Sequence, residues 1–454
     1  MIRYTKELET IAKYDVTVVG SGPAGICAAV AAARRGSKVA IIERYGAVGG
    51  NLTVGTVGPL MGSVAKGTMR AELGGMLRVA HNNMQATNGH VHDMQNAKRL
   101  LLDFLMDAGV TLYIQTTVVD VIKDGDALTG LVVSRKDGMG VIESKQFIDA
   151  SGDGDEAAYS GAPWEIGRKS DGLPQPVTLM YVLTDVDDSR ALCCYGEEDN
   201  VQYNGERFLD FTARCCEQGI LPKNCSSVRL YPTVNPGERL VNTTQCNYIN
   251  PLCTEDLVKA EIVLRKQIDE ITNFLRQYVA GFENCKVKFS ADTMGVRESR
   301  RIMGEYILSV DDLRVGSRFE DVVVHKANFV VDIHNPDGGG QAEGLAEVVK
   351  AYDIPYRCLV PQKVENLLVT GRCISATHEA MASFRIMSVC MALGEAAGIA
   401  ASISAEQGVA PRQLDVKLVQ DALTAKGADL FSCMILPRSV LLRGFLLTRP
   451  EKAI

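Results

Sequence analysis

The feature that most restricts this chain is one stretch near its start, "DVTVVGSGPAGICAAVAAARRGSKVAIIER", residues 15–44. The β-branched run DVTVV predicts a short, buried parallel strand. Gly20, Gly22 and Gly25 follow in the G-x-G-x-x-G spacing, with Pro23 and Ala24 between the last two. The first glycine permits a tight turn, the second lets a pyrophosphate approach the backbone, and the third lets helix pack on strand. An alanine-rich helix runs to Gly36, a C-cap, and a second strand, KVAII, delivers Glu43 and then Arg44. A carboxylate there accepts hydrogen bonds from a ribose 2′-hydroxyl and repels a 2′-phosphate. Strand, turn, helix, strand and acid in this order predict a dinucleotide-binding domain. A lone glycine pattern would not.

A second stretch, "QFIDASGDGDEAAYSGAP" (146–163), contains GDGDEA, which fits the same pattern. A complete second nucleotide domain needs a long helix and a later strand ending in an acid. Here Gly161 and Pro163 stop the helix early, and "LPQPVTLMYVLTDVDD" reads as an extended strand of another region. GDGDEA is therefore expected to be a turn of the first domain, which leaves one nucleotide.

Just past Glu43 comes "RYGAVGGNLTVG", with the pair Gly49–Gly50 followed by Asn51, Leu52 and Thr53. A nicotinamide domain has no need of a glycine pair there. The stretch resembles the two-dinucleotide-binding-domain flavoproteins, in which such a pair lets the chain pass close to FAD. The resemblance extends over most of the chain, through "RESRRIMGEYILS", "DIHNPDG" and "IPYRCLVP", and is closest to FAD-dependent oxidoreductases distantly related to the fumarate reductase and succinate dehydrogenase flavoproteins. It implies FAD as cofactor and further contacts at Val119, at Ala150, Ser151 and Gly152, and at Gly371, Arg372 and His378. In that family a late segment closes the flavin site. Here it is residues 364–400, where "MASFRIMSVCMALGEAAGIAAS" predicts a buried helix whose small residues allow close backbone approach. Covalent relatives use a His or Cys close to the glycine pair. None stands here, so the resemblance implies non-covalent FAD, with Cys373 as the one open alternative.

The flavin ring performs the redox step, and the protein supplies position, charge and protons. Arg297, Arg300 and Arg301 sit in "VRESRRIMG", where an extended segment puts only alternate members on one face. Arg297 or Arg301 is the candidate to bind a substrate carboxylate or act as the acid, against a plain salt bridge to Glu298 or Glu305. His334, in "DIHNPDGGG", is a candidate acid or base oriented by Asp332. His378 and Arg385, seven apart, would share a face if one helix covers both. Tyr356 and Arg357 are weaker candidates.

The whole sequence of 454 residues suits two folding units. The expected fold is α/β: a discontinuous Rossmann-like FAD-binding domain with a β-meander (1–160 and 355–425), an inserted α+β substrate or cap domain (161–354), and an apolar tail (426–454). The tail reads as a core-docking or dimer-forming segment, so a homo-oligomer is one outcome. Peripheral membrane attachment is the alternative, with Pro437 interrupting any long amphipathic helix. A net charge of −7 argues against nucleic acid or an anionic membrane as the main partner. Residues 388–402 are apolar but short and carry Glu395, and the N-terminus has no signal-peptide core, so the expected location is cytoplasmic. The thirteen cysteines include no C-x-x-C and read as reduced thiols, the pairs Cys193–Cys194 and Cys215–Cys216 being poorly placed for one metal if they lie on strands.

The leading function is hydride transfer to or from a small organic substrate, with reduction of an activated alkene as one form of it. NAD(P)H or another carrier is the electron partner, the former bound transiently because no second nucleotide domain is present. A flavin-dependent tRNA-modifying protein is disfavoured by the acidic charge. A halogenase is disfavoured because Trp164 is the single tryptophan.

Overall fold

The computed structural model describes residues 2–3, 5–79, 93–194, 201–340 and 346–431. The apolar tail beyond Phe431 lies outside them. Strand β1 (Thr10–Val19), helix α1 (Pro23–Arg34) and strand β2 (Val39–Ile42) form the expected β-α-β unit. Helices α2 (Met69–Val79) and α3 (Met94–Asp107) precede β3 (Thr111–Tyr113), which continues the parallel sheet beside β2. The meander follows as β4 (Thr117–Asp124), β5 (Ala127–Arg135) and β6 (Gly138–Asp149), antiparallel neighbours in sequence.

β6 does two jobs. Its first half pairs with β5, while its second half runs parallel to β1 on one side and to the returning strand Leu367–Val369 on the other. Val19 lies beside Asp149 in that register. The glycine turn after β1 and the GDGDEA turn after β6 therefore emerge side by side, at the carboxyl ends of parallel strands where α/β sheets bind ligands.

The helix Met387–Gln407 is buried along nearly all its length and lies against α1. A Cβ on Gly394 would stand 2.0 Å from the Ala24 carbonyl oxygen, and one on Gly398 would stand 2.1 Å from that of Ala28. The small residues of this helix thus serve contact between two helices. By composition and length the helix could cross a membrane, yet it is buried inside the protein. Glu395 is spent at Met69, whose backbone N–H donates to its Oε2 at 2.6 Å.

A second sheet, in the order Arg229–Pro232, Arg239–Asn242, Tyr181–Thr184, Lys286–Ser290, is wholly antiparallel. The long helix Thr254–Tyr278 covers it, and Tyr181, Leu230, Leu264, Ile271 and Phe282 form a separate core. The inserted region ends earlier than its expected limit at residue 354. From Ile302 onward, Leu308, Val324, Tyr352 and Ile354 pack into the first core, because the hairpin Val322–Ala327/Tyr352–Pro355 lies against the helix Met387–Gln407. The two crossings are tied by a short bridge in which Trp164 faces Ile302 and Glu165 faces Arg301. Cys215 and Cys216 lie in a helix (Phe208–Glu217) rather than on a strand.

Candidate active site

Both glycine turns line one cavity of about 610 Å³. Gly20, Gly22, Pro23 and Ala24 come from the first turn, and Ala150, Ser151 and Gly152 from the second. Glu43 and Arg44 stand at the end of β2, Gly50 and Asn51 on the loop beyond, and Gly371 and Arg372 after the returning strand. The GDGDEA turn thus lines the same cavity as the first glycine turn.

The dinucleotide-shaped features are present. No side chain caps the first turn of α1, so its backbone N–H groups and the helix dipole are left for an anion. A Cβ on Gly22 would meet nothing within 4 Å, so this face of the turn is open to a ligand. Glu43 is buried; its Oε2 accepts from the Ser21 N–H at 2.9 Å and hydroxyl at 2.5 Å, and its Oε1 accepts from the Tyr45 N–H at 2.8 Å. Those bonds hold the carboxylate at the cavity wall, with lone pairs left over for a sugar hydroxyl. FAD fits this set: α1 would take its pyrophosphate and Glu43 its ribose.

Other expected contacts support the wall from behind. Gly25 packs the helix on the turn, where a Cβ would stand 1.8 Å from the Gly20 carbonyl oxygen. The Gly49 N–H donates to Ser21 O at 2.8 Å, the Thr53 hydroxyl donates to Val48 O at 2.6 Å, and Leu52 is buried. Val119 does not face the cavity. Thr116, Thr117 and Val118 line it, and Val119 is exposed at a β-bulge, where Val118 and Asp120 pair with successive residues Val133 and Val132 of β5.

The turn after β6 is built by two aspartates. Asp149 accepts from the Ser151 N–H (3.0 Å) and hydroxyl (2.6 Å) and from the Ala157 N–H (3.0 Å). Burial raises its pKa, and these bonds oppose the rise. Asp153 joins Arg372, Arg44 (3.4 Å) and the Ser299 hydroxyl (2.7 Å). Burial would push Asp153 up, but the two guanidinium groups hold it below its ordinary value. The segment Arg297–Arg301 clamps this turn, since Ser299 reaches Asp153 and Arg300 reaches Asp155 at 2.7 Å. Asp153 and Ser299 were legible only as part of their motifs; nothing local in the sequence pairs them.

The candidate catalytic residues separate into two groups. Arg301 and His378 do not line the cavity. Both are buried on Glu298, which pairs with Arg301 and lies 2.8 Å from His378 Nδ1. For Arg301 the salt bridge is the observed state. His378 opens the helix His378–Phe384 and Arg385 caps its end, before an extended Ile386 and the long helix from Met387; the two side chains go to different partners, Glu298 and Asp332.

Arg385 lines the large cavity beside Met387 and Cys390 of the long helix's first turn, which no side chain caps. Its Nη2 donates to Asp332 Oδ2 at 2.9 Å and to Asp332 O at 3.0 Å. His334 Nε2 lies 3.5 Å from the same Asp332 Oδ2. Burial, and then the positive charge of Arg297, push the His334 imidazole down to about 4. His334 and Arg297 line a second, smaller cavity. Met294 and Val296 join the wall of the large one, apolar residues that sequence reasoning did not single out. Tyr356 is buried with its hydroxyl on Pro411 O, and Arg357 pairs with Asp321, both away from the cavity.

The family model described as FAD dependent oxidoreductase matches residues 15–423. A soluble pyridine nucleotide transhydrogenase of Chromohalobacter salexigens is 60% identical over 40 residues, 9% of each chain. A thiamine thiazole synthase of Pyrococcus furiosus is 26% identical over 159 residues, 33% of this chain and 62% of that protein. Digeranylgeranylglycerophospholipid reductase 1 of Methanococcoides burtonii is 27% identical over 154 residues, 31% of this chain and 38% of that one. The chain spans less than two thirds of each of these relatives. Among solved structures, a geranylgeranyl bacteriochlorophyll reductase-like protein of Thermoplasma acidophilum has a TM-score of 0.47 at 14% identity, covering 91% of this chain and 83% of that one. With the family model matched over residues 15–423, this protein belongs to the FAD dependent oxidoreductases.

Proposed function

We propose that the protein moves a hydride between non-covalently held FAD and a small organic substrate. One observation carries the reading: a single cavity joins the glycine turns and Glu43 at one part of its wall to Arg385 and the uncapped first turn of Met387–Gln407 at another. FAD, when bound, supplies the two-electron redox chemistry. The residues of this chain hold and orient. Arg385 places a positive charge in the cavity, steadied by Asp332, and the apolar Met294, Val296 and Met387 exclude water around it. His334, neutral at physiological pH, is a proton acceptor one residue-contact from Asp332. The electron partner, NAD(P)H or another carrier, uses the same cavity in turn.

Non-covalent attachment is supported by the cysteines. Cys373 is buried with its thiol raised well above the usual range, chiefly by burial. Cys390 lines the cavity, but burial pushes its thiol up to about 12, far from a reactive thiolate. Acid or heat should release the flavin into solution; FAD that stays with the precipitated protein would refute this point. Replacing Glu43 with alanine should weaken FAD binding by about 1.5–3 kcal/mol, the worth of a hydrogen bond to a charged group. The exposed Glu406→Ala is the control, and equal FAD affinity in the two variants would count against the ribose assignment. Anaerobic titration of the yellow protein against NADH, NADPH and a panel of hydroxy acids and enoates tests the reaction itself. No bleaching by any donor and no reoxidation by any enoate would sink the hydride-transfer reading.

A further inference from the structure

The turn after β6 carries four acids, and three of them are engaged. Asp149 accepts from Ser151 and from the Ala157 N–H, Asp153 meets Arg44, Arg372 and Ser299, and Asp155 pairs with Arg300. The fourth, Glu156, is fully buried in the wall of the large cavity, and neither of its carboxyl oxygens has a hydrogen-bond partner among the described residues. The charges that bear on it, Asp149 and Asp155, are both negative. Burial first, and then these two, hold its carboxyl well above the usual carboxylate range. A buried charge with no counter-ion is not sustained, so the group is a neutral acid. It then offers an O–H donor beside a carbonyl acceptor, both unmet. Buried polar groups are satisfied almost everywhere in folded proteins, so an unmet pair in the wall of a cofactor cavity marks a contact for the cofactor to make.

Its place in the cavity selects the part of FAD. With the pyrophosphate at α1 and the ribose on Glu43, the base lies past Glu43, away from α1. That end is walled by Thr116, Thr117 and Val118, by Glu156 and by Tyr159. The Thr116 N–H donates to the Glu43 carbonyl oxygen at 2.9 Å, and the short helix Asp155–Tyr159 lies against β4, so the two walls are neighbours. Adenine presents an amine donor beside a ring-nitrogen acceptor. Glutamine reads that edge with two parallel hydrogen bonds, and an un-ionised carboxyl carries the same pattern as a glutamine amide.

We propose that Glu156, as an un-ionised acid, recognises the adenine of FAD: its carbonyl oxygen accepts from the exocyclic amine and its O–H donates to a ring nitrogen. The assignment needs FAD in the cavity and not any particular reaction, so binding alone tests it. Full-length protein stripped of flavin is titrated with FAD and with flavin purine dinucleotide, in which hydrogen replaces the amine, and flavin fluorescence gives each Kd. The parent should bind FAD about 5- to 150-fold more tightly, since loss of the amine strands the buried carbonyl oxygen. Glu156→Gln should keep that preference. Glu156→Met should erase or reverse it, while the stripped variant melts no lower than the stripped parent, because the change removes an unmet buried acid.

A parent that binds the two dinucleotides equally would overturn the proposal, as would a Glu156→Met protein that keeps the preference for FAD. If Glu156→Met fails to fold, Glu156→Gln decides: an amide variant that binds both equally shows that this side chain does not read the base. Tight FAD binding with no regard for the base would remove this assignment and leave the redox reading standing.

Discussion

Replacing Glu298 with glutamine is expected to destabilise the protein by about 3–5 kcal/mol, the cost of leaving one half of a buried ion pair behind. Glu298 is fully buried, and three groups converge on its carboxylate: Arg301, His378 Nδ1, and the Gln175 backbone N–H at 3.0 Å. Without that charge, Arg301 keeps only the carbonyls of Ala376 (3.1 Å) and Gly167 (3.0 Å), and a looser contact of 3.7 Å with Glu165, which is mostly exposed. Those groups cannot neutralise a guanidinium that is itself buried. The site lies where residues 165, 298–301 and 376–378 meet, so its failure would loosen both the inserted region and the flavin segment. Urea unfolding measures the loss. A double variant, Glu298→Met with Arg301→Met, should recover much of it, because the pair's removal as a whole leaves no stranded charge. A glutamine variant within about 0.5 kcal/mol of the parent, the scatter of a surface change, would show that the cluster is not a charged one.

This cluster also shows where reading the sequence stops. The unit from β1 to Glu43 was legible because every requirement is local: turn, helix start, packing glycine and acid follow one another within about thirty residues, each fixed by backbone geometry. The Gly49–Gly50 pair and the GDGDEA turn were legible for the same reason. The partner of His378, by contrast, lies eighty positions away at Glu298, and no periodicity connects them. Arg385 was singled out for its place in the late segment, seven residues after His378; it lines the cavity as the C-cap of the helix His378–Phe384. Val119 is the extra residue of a bulge between Val118 and Asp120, an irregularity that local alternation does not reveal. The early return of the chain to the first core at Ile302 depends on packing between the hairpin and the buried helix, which local propensity does not encode.

Gly152→Val is expected to yield a protein with little or no bound FAD. Gly152 sits at φ +81°, in a region that β-branched residues enter only under strain. The strain alone costs about 1–3 kcal/mol. The new side chain would then collide with what the turn is built around: a Cβ would stand 3.1 Å from Arg372 Nη2 and 3.6 Å from its Cζ. Arg372 donates from Nε to the Gly152 carbonyl at 2.9 Å and pairs with Asp153, so moving it releases the turn from the flavin segment. Gly152 and Arg372 both line the cavity, so the displacement falls where the cofactor binds. FAD occupancy and the rate of flavin bleaching by NADH, measured on one preparation, separate the outcomes. Full occupancy with only the bleaching lost would mean that GDGDEA serves a nicotinamide and not the flavin, and would sink the one-nucleotide reading. Loss of FAD in Gly152→Val with retention in Gly152→Ala, whose Cβ makes the same 3.1 Å contact with Arg372, would trace the defect to the added methyl groups and β-branching of valine.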